Sequence, residues 1–169
     1  MHLVCLGVMK RILIMWIKGP LQCRLGSRDI GEISNQMVAL KDFIPCEFAR
    51  KPRSLKDIDR WKATEFRQFL LYTGPVVLSQ ILHPNLYKHF LLLFVGIHIL
   101  INTSLCQMYN DYAEELLKTF VTHFYHIYGI DMAVYNVHCL VHLAKDAKRY
   151  GSLEHISSFP FENFLSRLK

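Results

Sequence analysis

The apolar positions of this chain recur at helical spacing along most of its length. Tyr109, Tyr112, Ala113, Leu116, Leu117, Phe120, Val121 and Phe124 alternate steps of three and one. They draw a single stripe that excludes Glu114, Glu115 and Lys118, the mark of an amphipathic helix with one face on a core. Gly129 stands where its C-cap is expected. Ile58, Trp61, Phe66, Phe69 and Leu70 mark another helix, with Ser54 and Asp57 as candidate caps. Thr73-Gly74-Pro75 is expected to end or kink it. Residues 1–17 read as an amphipathic or buried helix, closed by a break between Gly19-Pro20 and Gly26-Ser27. Ser27 or Asp29 is then a candidate cap for a helix reaching about Asp42, and the proline-bearing stretch 44–54 is a loop. Short helices are expected over 76–82 and 136–150, the first stopped by His83-Pro84 and the second closed by Gly151. A last helix begins at Phe161, just past Pro160. No segment alternates with a period of two, so the chain reads as all-α, a single helical region spanning 1–169.

The helix over 86–101 raises a separate question. Residues 89–110 hold 22 positions without Asp, Glu, Lys or Arg, close to the roughly 20 needed to span a bilayer. His98 interrupts the apolar run, and Asn102, Thr103, Ser104 and Gln107 follow it closely. That pattern favours the central helix of a bundle over a membrane anchor, which stays as an alternative.

Composition adds a bias in charge. Lysine and arginine number 20 against 14 acidic residues, and the excess lies wholly in residues 1–56, with ten basic and four acidic groups. Five cysteines at wide spacing, without a Cys-x-x-Cys pair, suit a reduced nuclear or cytoplasmic protein rather than a secreted one. Lys10 and Arg11 interrupt the apolar N-terminal run, which argues against a signal peptide.

Three groups of residues are candidates for chemistry. The densest basic cluster comprises Arg50, Lys51 and Arg53 with Lys56, Arg60 and Lys62, a density suited to nucleic-acid phosphates or simply to solvation. His138 and His142 lie four apart on one helix face, a metal-ligand spacing. Cys139 holds the place where zinc hydrolases carry a glutamate, and the packing alternative is a pair of partly buried core histidines. Glu162 sits between Phe161 and Phe164 and is either a helix-start carboxylate or a metal ligand.

Two stretches resemble one family. Tyr135-Asn136-Val137-His138-Cys139-Leu140-Val141-His142-Leu143-Ala144, then Phe159-Pro160-Phe161-Glu162-Asn163-Phe164 and Leu168-Lys169, look like the C-terminal part of CACTA-type (En/Spm) DNA transposases. Met1-His2-Leu3 with Leu6-Gly7 resembles the family's histidine segment, and 44–75 looks like its animal, transposase-derived branch. The resemblance implies a ribonuclease-H-like enzyme in which three carboxylates hold two magnesium ions for in-line phosphoryl transfer on DNA. It makes Glu162 the final catalytic, metal-binding carboxylate, and His2, His138 and His142 the motif histidines. It also implies that the chain matches the helical insertion and the glutamate element, 159–169, without the catalytic sheet. Asp57, Asp59 and Asp111 match no family position, and both catalytic aspartates are expected before Met1. The chain alone is therefore expected to be a fragment that holds no metal and cuts no DNA. Its expected partners are DNA, the missing core of the transposase or a second copy.

Overall fold

A computed structural model describes residues 1–48 and 50–159, and among these every regular element is helical. A π-helical segment, Leu3–Met9, runs directly into α1 (Lys10–Lys18). After α2 (Ser27–Ala39) and a 3-10 turn, Leu40–Asp42, the chain crosses the expected loop to a second 3-10 segment, Leu55–Arg60. There follow α3 (Ala63–Gln68), a π turn over Phe69–Thr73, and α4 (Gly74–Leu78). The two long helices, α5 (Pro84–Ile101) and α6 (Thr103–Tyr128), come next. The described part closes with 3-10 Ile130–Met132, α7 (Tyr135–His138), 3-10 Cys139–His142 and α8 (Leu143–Tyr150). The helix expected from Phe161 lies outside the described residues.

The long helices form an antiparallel hairpin joined at Asn102. The Asn102 side chain accepts from the Leu105 N–H at 3.0 Å and so caps α6. A close approach sets their spacing. A Cβ at Gly96 would stand 3.0 Å from two Leu117 side-chain carbons, so only glycine lets the helices meet here undisturbed. Most of the expected α6 stripe is covered: Ala113, Leu117, Phe120, Val121 and Phe124 are buried and Leu116 is half-buried, while Tyr109 and Tyr112 are exposed. Tyr109 is the one non-helical residue inside α6 (φ −123°, ψ 22°) and marks a kink in its first half. Just beyond it, the Asn110 amide donates to the Ala144 carbonyl at 2.9 Å and ties α8 to the hairpin. Trp16 completes the frame, its Nε1–H donating to the Tyr128 hydroxyl at 3.0 Å, which joins α1 to the far end of α6. Burial pushes the Tyr128 hydroxyl well above the usual tyrosine range.

Three local expectations change. No side chain caps α2: its N-cap is Gly26, and Ser27 and Asp29 lie within its first turn. The helix expected to run from Ile58 through Leu70 is broken at Trp61, whose backbone is extended (φ −66°, ψ 139°). The break sends the indole inward, where it donates to the Ser54 carbonyl at 3.3 Å and packs on Phe66 and Phe69. Third, of the end or kink expected at Thr73-Gly74-Pro75, the end does not occur: the helix runs on into α4. A π turn precedes the proline, with the Gly74 N–H reaching back five residues to the Phe69 carbonyl, so the wider turn absorbs the hydrogen bond Pro75 cannot make. Ser54 caps its segment as expected, accepting from the Lys56 N–H at 3.1 Å. Gly129 and Gly151 close α6 and α8 at φ 88° and 95°.

Among the described residues, α5 is the one helix long and apolar enough to cross a membrane. Seven of its eighteen residues are buried in the fold. Leu91, Phe94 and Val95 are half-buried on its outer side. None of the five cysteines is paired; Cys5, Cys23 and Cys106 are buried, and Cys46 is exposed. Burial pushes the Cys5 thiol up to about 12.

The hairpin also encloses a histidine. His89 is 2% exposed, stacks on Phe120 with ring centroids 4.2 Å apart, and places Nε2 3.1 Å from the Phe120 carbonyl. Burial holds its pKa at about 4, opposed by that hydrogen bond and aided weakly by His123. An unfolded chain binds the proton near pH 6.5 and the folded one only near 4, so stability is lost as pH falls between those values. The loss expected is about 3 kcal/mol. Urea denaturation at pH 7 and pH 4 measures it, and His89→Gln is expected to flatten that part of the profile.

Candidate nucleic-acid interface

The basic cluster is mounted on a buried carboxylate. Glu65, at the third position of α3, is 4% exposed. One of its oxygens accepts the Lys62 N–H at 2.8 Å, which caps the helix. Arg53 grips both oxygens, Nε to Oε1 at 2.6 Å and Nη2 to Oε2 at 2.9 Å, a forked pair that also donates to the Arg60 carbonyl at 2.8 Å. The hydrogen bond to Glu65 holds the Arg53 guanidinium above its ordinary value. Beneath the frame, Leu55, Ile58 and Trp61 are buried and root the 3-10 segment in the core.

The six predicted contact residues therefore separate into two roles. Arg53 is the anchor. Arg50, Lys51, Lys56, Arg60 and Lys62 are exposed, with Lys51 donating to the Ile44 carbonyl and Arg50 standing 4.0 Å from Glu65. Four acidic side chains lie among them, with Glu47 exposed and Asp57 half-buried. Glu65 is withdrawn from the surface, and Asp59 is held by Lys18 at 2.7 Å, a hydrogen bond that keeps its carboxyl below the usual range. What remains outward is a patch in which cations outnumber carboxylates, on a rigid support.

The motif histidines lie elsewhere. His138 and His142 stand edge to face, ring centroids 5.6 Å apart, at the junction of α7 with the following 3-10 segment. Both are exposed, so the packing alternative that made them partly buried core residues does not hold; Val137, Leu140 and Ala144 fill the core beside them. His2 meets the other end of the chain: its Nδ1 lies 2.9 Å from the Ser158 hydroxyl and its ring 4.4 Å from that of Phe159. Nearby, a Cβ at Gly7 would stand 2.7 Å from the Asn136 amide, so the π segment and α7 are in direct contact. Segments 129 to 157 residues apart in sequence thus pack together.

Glu162 lies outside the described residues. Among the described ones, no three His, Cys, Asp or Glu side chains converge as metal ligands, and Asp111 faces Lys148 at 3.2 Å. No magnesium site is formed by them. The sequence reading missed Glu65, although its place three residues after the helix start is that of a capping-box carboxylate. No family model, curated protein or solved structure matches this chain.

Removing the anchor tests the support. Glu65→Ala is expected to cost about 2 kcal/mol, a buried pair's loss reduced by the one-third exposure of Arg53. The urea midpoint reads it, and Glu65→Gln is expected to fall between the variant and the parent.

Proposed function

We propose that this chain is a helical DNA-binding module of the CACTA-transposase type, in the position of that family's insertion and glutamate element. The observation that carries the reading is the basic frame: five exposed cations around the pair of Arg53 with the buried Glu65, with Asp59 held by Lys18. Cations so presented displace counterions from a phosphate backbone without reading bases, and give salt-dependent binding with little sequence preference. Two further observations support the family assignment. The segments that carry the resemblance touch one another around His2, Gly7, Asn136 and Phe159. The helical architecture also suits an insertion that packs beside a catalytic sheet.

The activity of the chain alone is binding. Glu162 is one carboxylate, and clamping the attacking and leaving oxygens between two metals requires several. Magnesium, held by the full set of carboxylates, would supply that clamp in a complete enzyme.

Duplex DNA binding measured by fluorescence anisotropy at 50 to 200 mM salt is the decisive experiment. With about four phosphates neutralised, log Kd is expected to follow log salt with a slope near 3 to 4, and the combined Lys56, Arg60 and Lys62 alanine variant to lower it by about 2 to 3. Salt-independent binding, or none, removes the reading. Magnesium-dependent cutting that Glu162→Gln abolishes would overturn the assignment of binding alone.

The outer side of α5 favours one second reading, a module that binds protein through an apolar face. Leu91, Phe94 and Val95 are half-buried there. If that face pairs with a second copy, light scattering is expected to give twice the 19.8 kDa chain mass, and Phe94→Glu to restore the monomer.

A further inference from the structure

A cleft of about 290 Å³ opens between the loop before Arg50 and the α3–π junction, at the small end of the range for ligand sites. Glu47, Phe48, Arg50, Arg67, Gln68 and Tyr72 are among the residues that line it. Two of these carry donors with no acceptor. Gln68 is 4% exposed and its Nε2 has no partner; Arg67 donates through Nη2 to Glu154 at 2.9 Å, yet its buried Nε has none. A buried donor without an acceptor is costly, and a small rotation of either side chain toward the cleft would give it one from a ligand that brings oxygens. Arg50, half-exposed at the rim, adds positive charge. The far wall is aromatic: Phe48 meets Tyr72 edge to face at 5.0 Å, and Tyr72 remains 47% exposed. The exposed carboxylate of Glu47 is the acceptor on the same rim.

Guanidinium and amide donors suit phosphate oxygens, an exposed aromatic ring suits the face of a base, and a carboxylate accepts from an exocyclic amine. A duplex offers its phosphates but keeps its bases stacked. We propose that this cleft takes one unpaired nucleotide, its phosphate oxygens on Arg67 and Gln68 and its base against Tyr72. The proposal deepens the DNA-binding reading and rests on it: the basic frame holds the backbone, and the cleft selects strand that is not base-paired.

Anisotropy on the full chain with a labelled 12-nucleotide single strand, the same strand carrying abasic sites, and the matching duplex tests it. Tyr72→Ala is expected to weaken single-strand binding about tenfold and leave duplex binding unchanged, while Tyr72→Phe retains the affinity. Gln68→Leu removes the orphaned amide, so the thermal midpoint is expected to rise while single-strand affinity falls at least fivefold. A merely structural role moves stability and binding in the same direction. Unchanged single-strand affinity in Tyr72→Ala, or an abasic strand bound as tightly as the intact one, overturns the proposal. If neither strand nor duplex binds, the basic-frame reading has failed, and titration with adenosine monophosphate decides for the cleft. A shift of the Gln68 side-chain amide resonances then keeps it as a mononucleotide site, and no shift removes it.

Discussion

A carboxylate taken out of water must be met by a cation and by hydrogen bonds, and here Glu65 sets the terms for everything around it. Arg53 answers it with a fork, the Lys62 amide adds a third bond, and the Arg60 carbonyl takes the second hydrogen of Nη2. One ion pair therefore fixes the end of a loop, the exit of a 3-10 segment and the entry of α3. The neighbouring cations inherit that rigidity without being consumed by it. An interface for phosphate needs charges that stand outward at low entropic cost, and a frame braced from beneath meets that condition. The same arrangement explains why the densest run of positive charge in the sequence does not behave as a uniform patch. Its most central member is spent on the support.

The regular elements were readable because each has a local cause. The α6 stripe, the Ser54 cap, and the glycines at 129 and 151 all act within a turn or two of themselves. The departures have distant causes. Nothing adjacent to Trp61 breaks a helix; the break comes from the gain in burying its indole on Phe66 and Phe69. Pro75 should stop a helix, and a widened turn carries the chain past it while Tyr87 donates to the Pro75 carbonyl at 2.9 Å. The site was legible in part for the same reason. Charge density announces itself in sequence, whereas the pairing that sorts anchors from free cations depends on a partner twelve residues away. Arg67 and Gln68 left no trace at all, since an unmade hydrogen bond is a property of the packed molecule.

The long hairpin bears a different load. Gly96 lets α5 and α6 approach closely, and His89 fills the space below with an aromatic ring that keeps one nitrogen unpaired. Phe120 serves it twice, through its ring and through its carbonyl. The inner side of α5 is thus committed to α6, while its outer side is only half covered. A helix of this kind is stable in a bundle without being finished by it.

The thiols divide by depth. Cys5, Cys23 and Cys106 are sealed in the core, Cys139 is half-covered, and Cys46 alone stands open, two residues before Phe48 on the wall of the small cleft. A maleimide dye added to the native protein will attach first at Cys46, so the unaltered chain already carries an address for a fluorescent reporter beside the cleft.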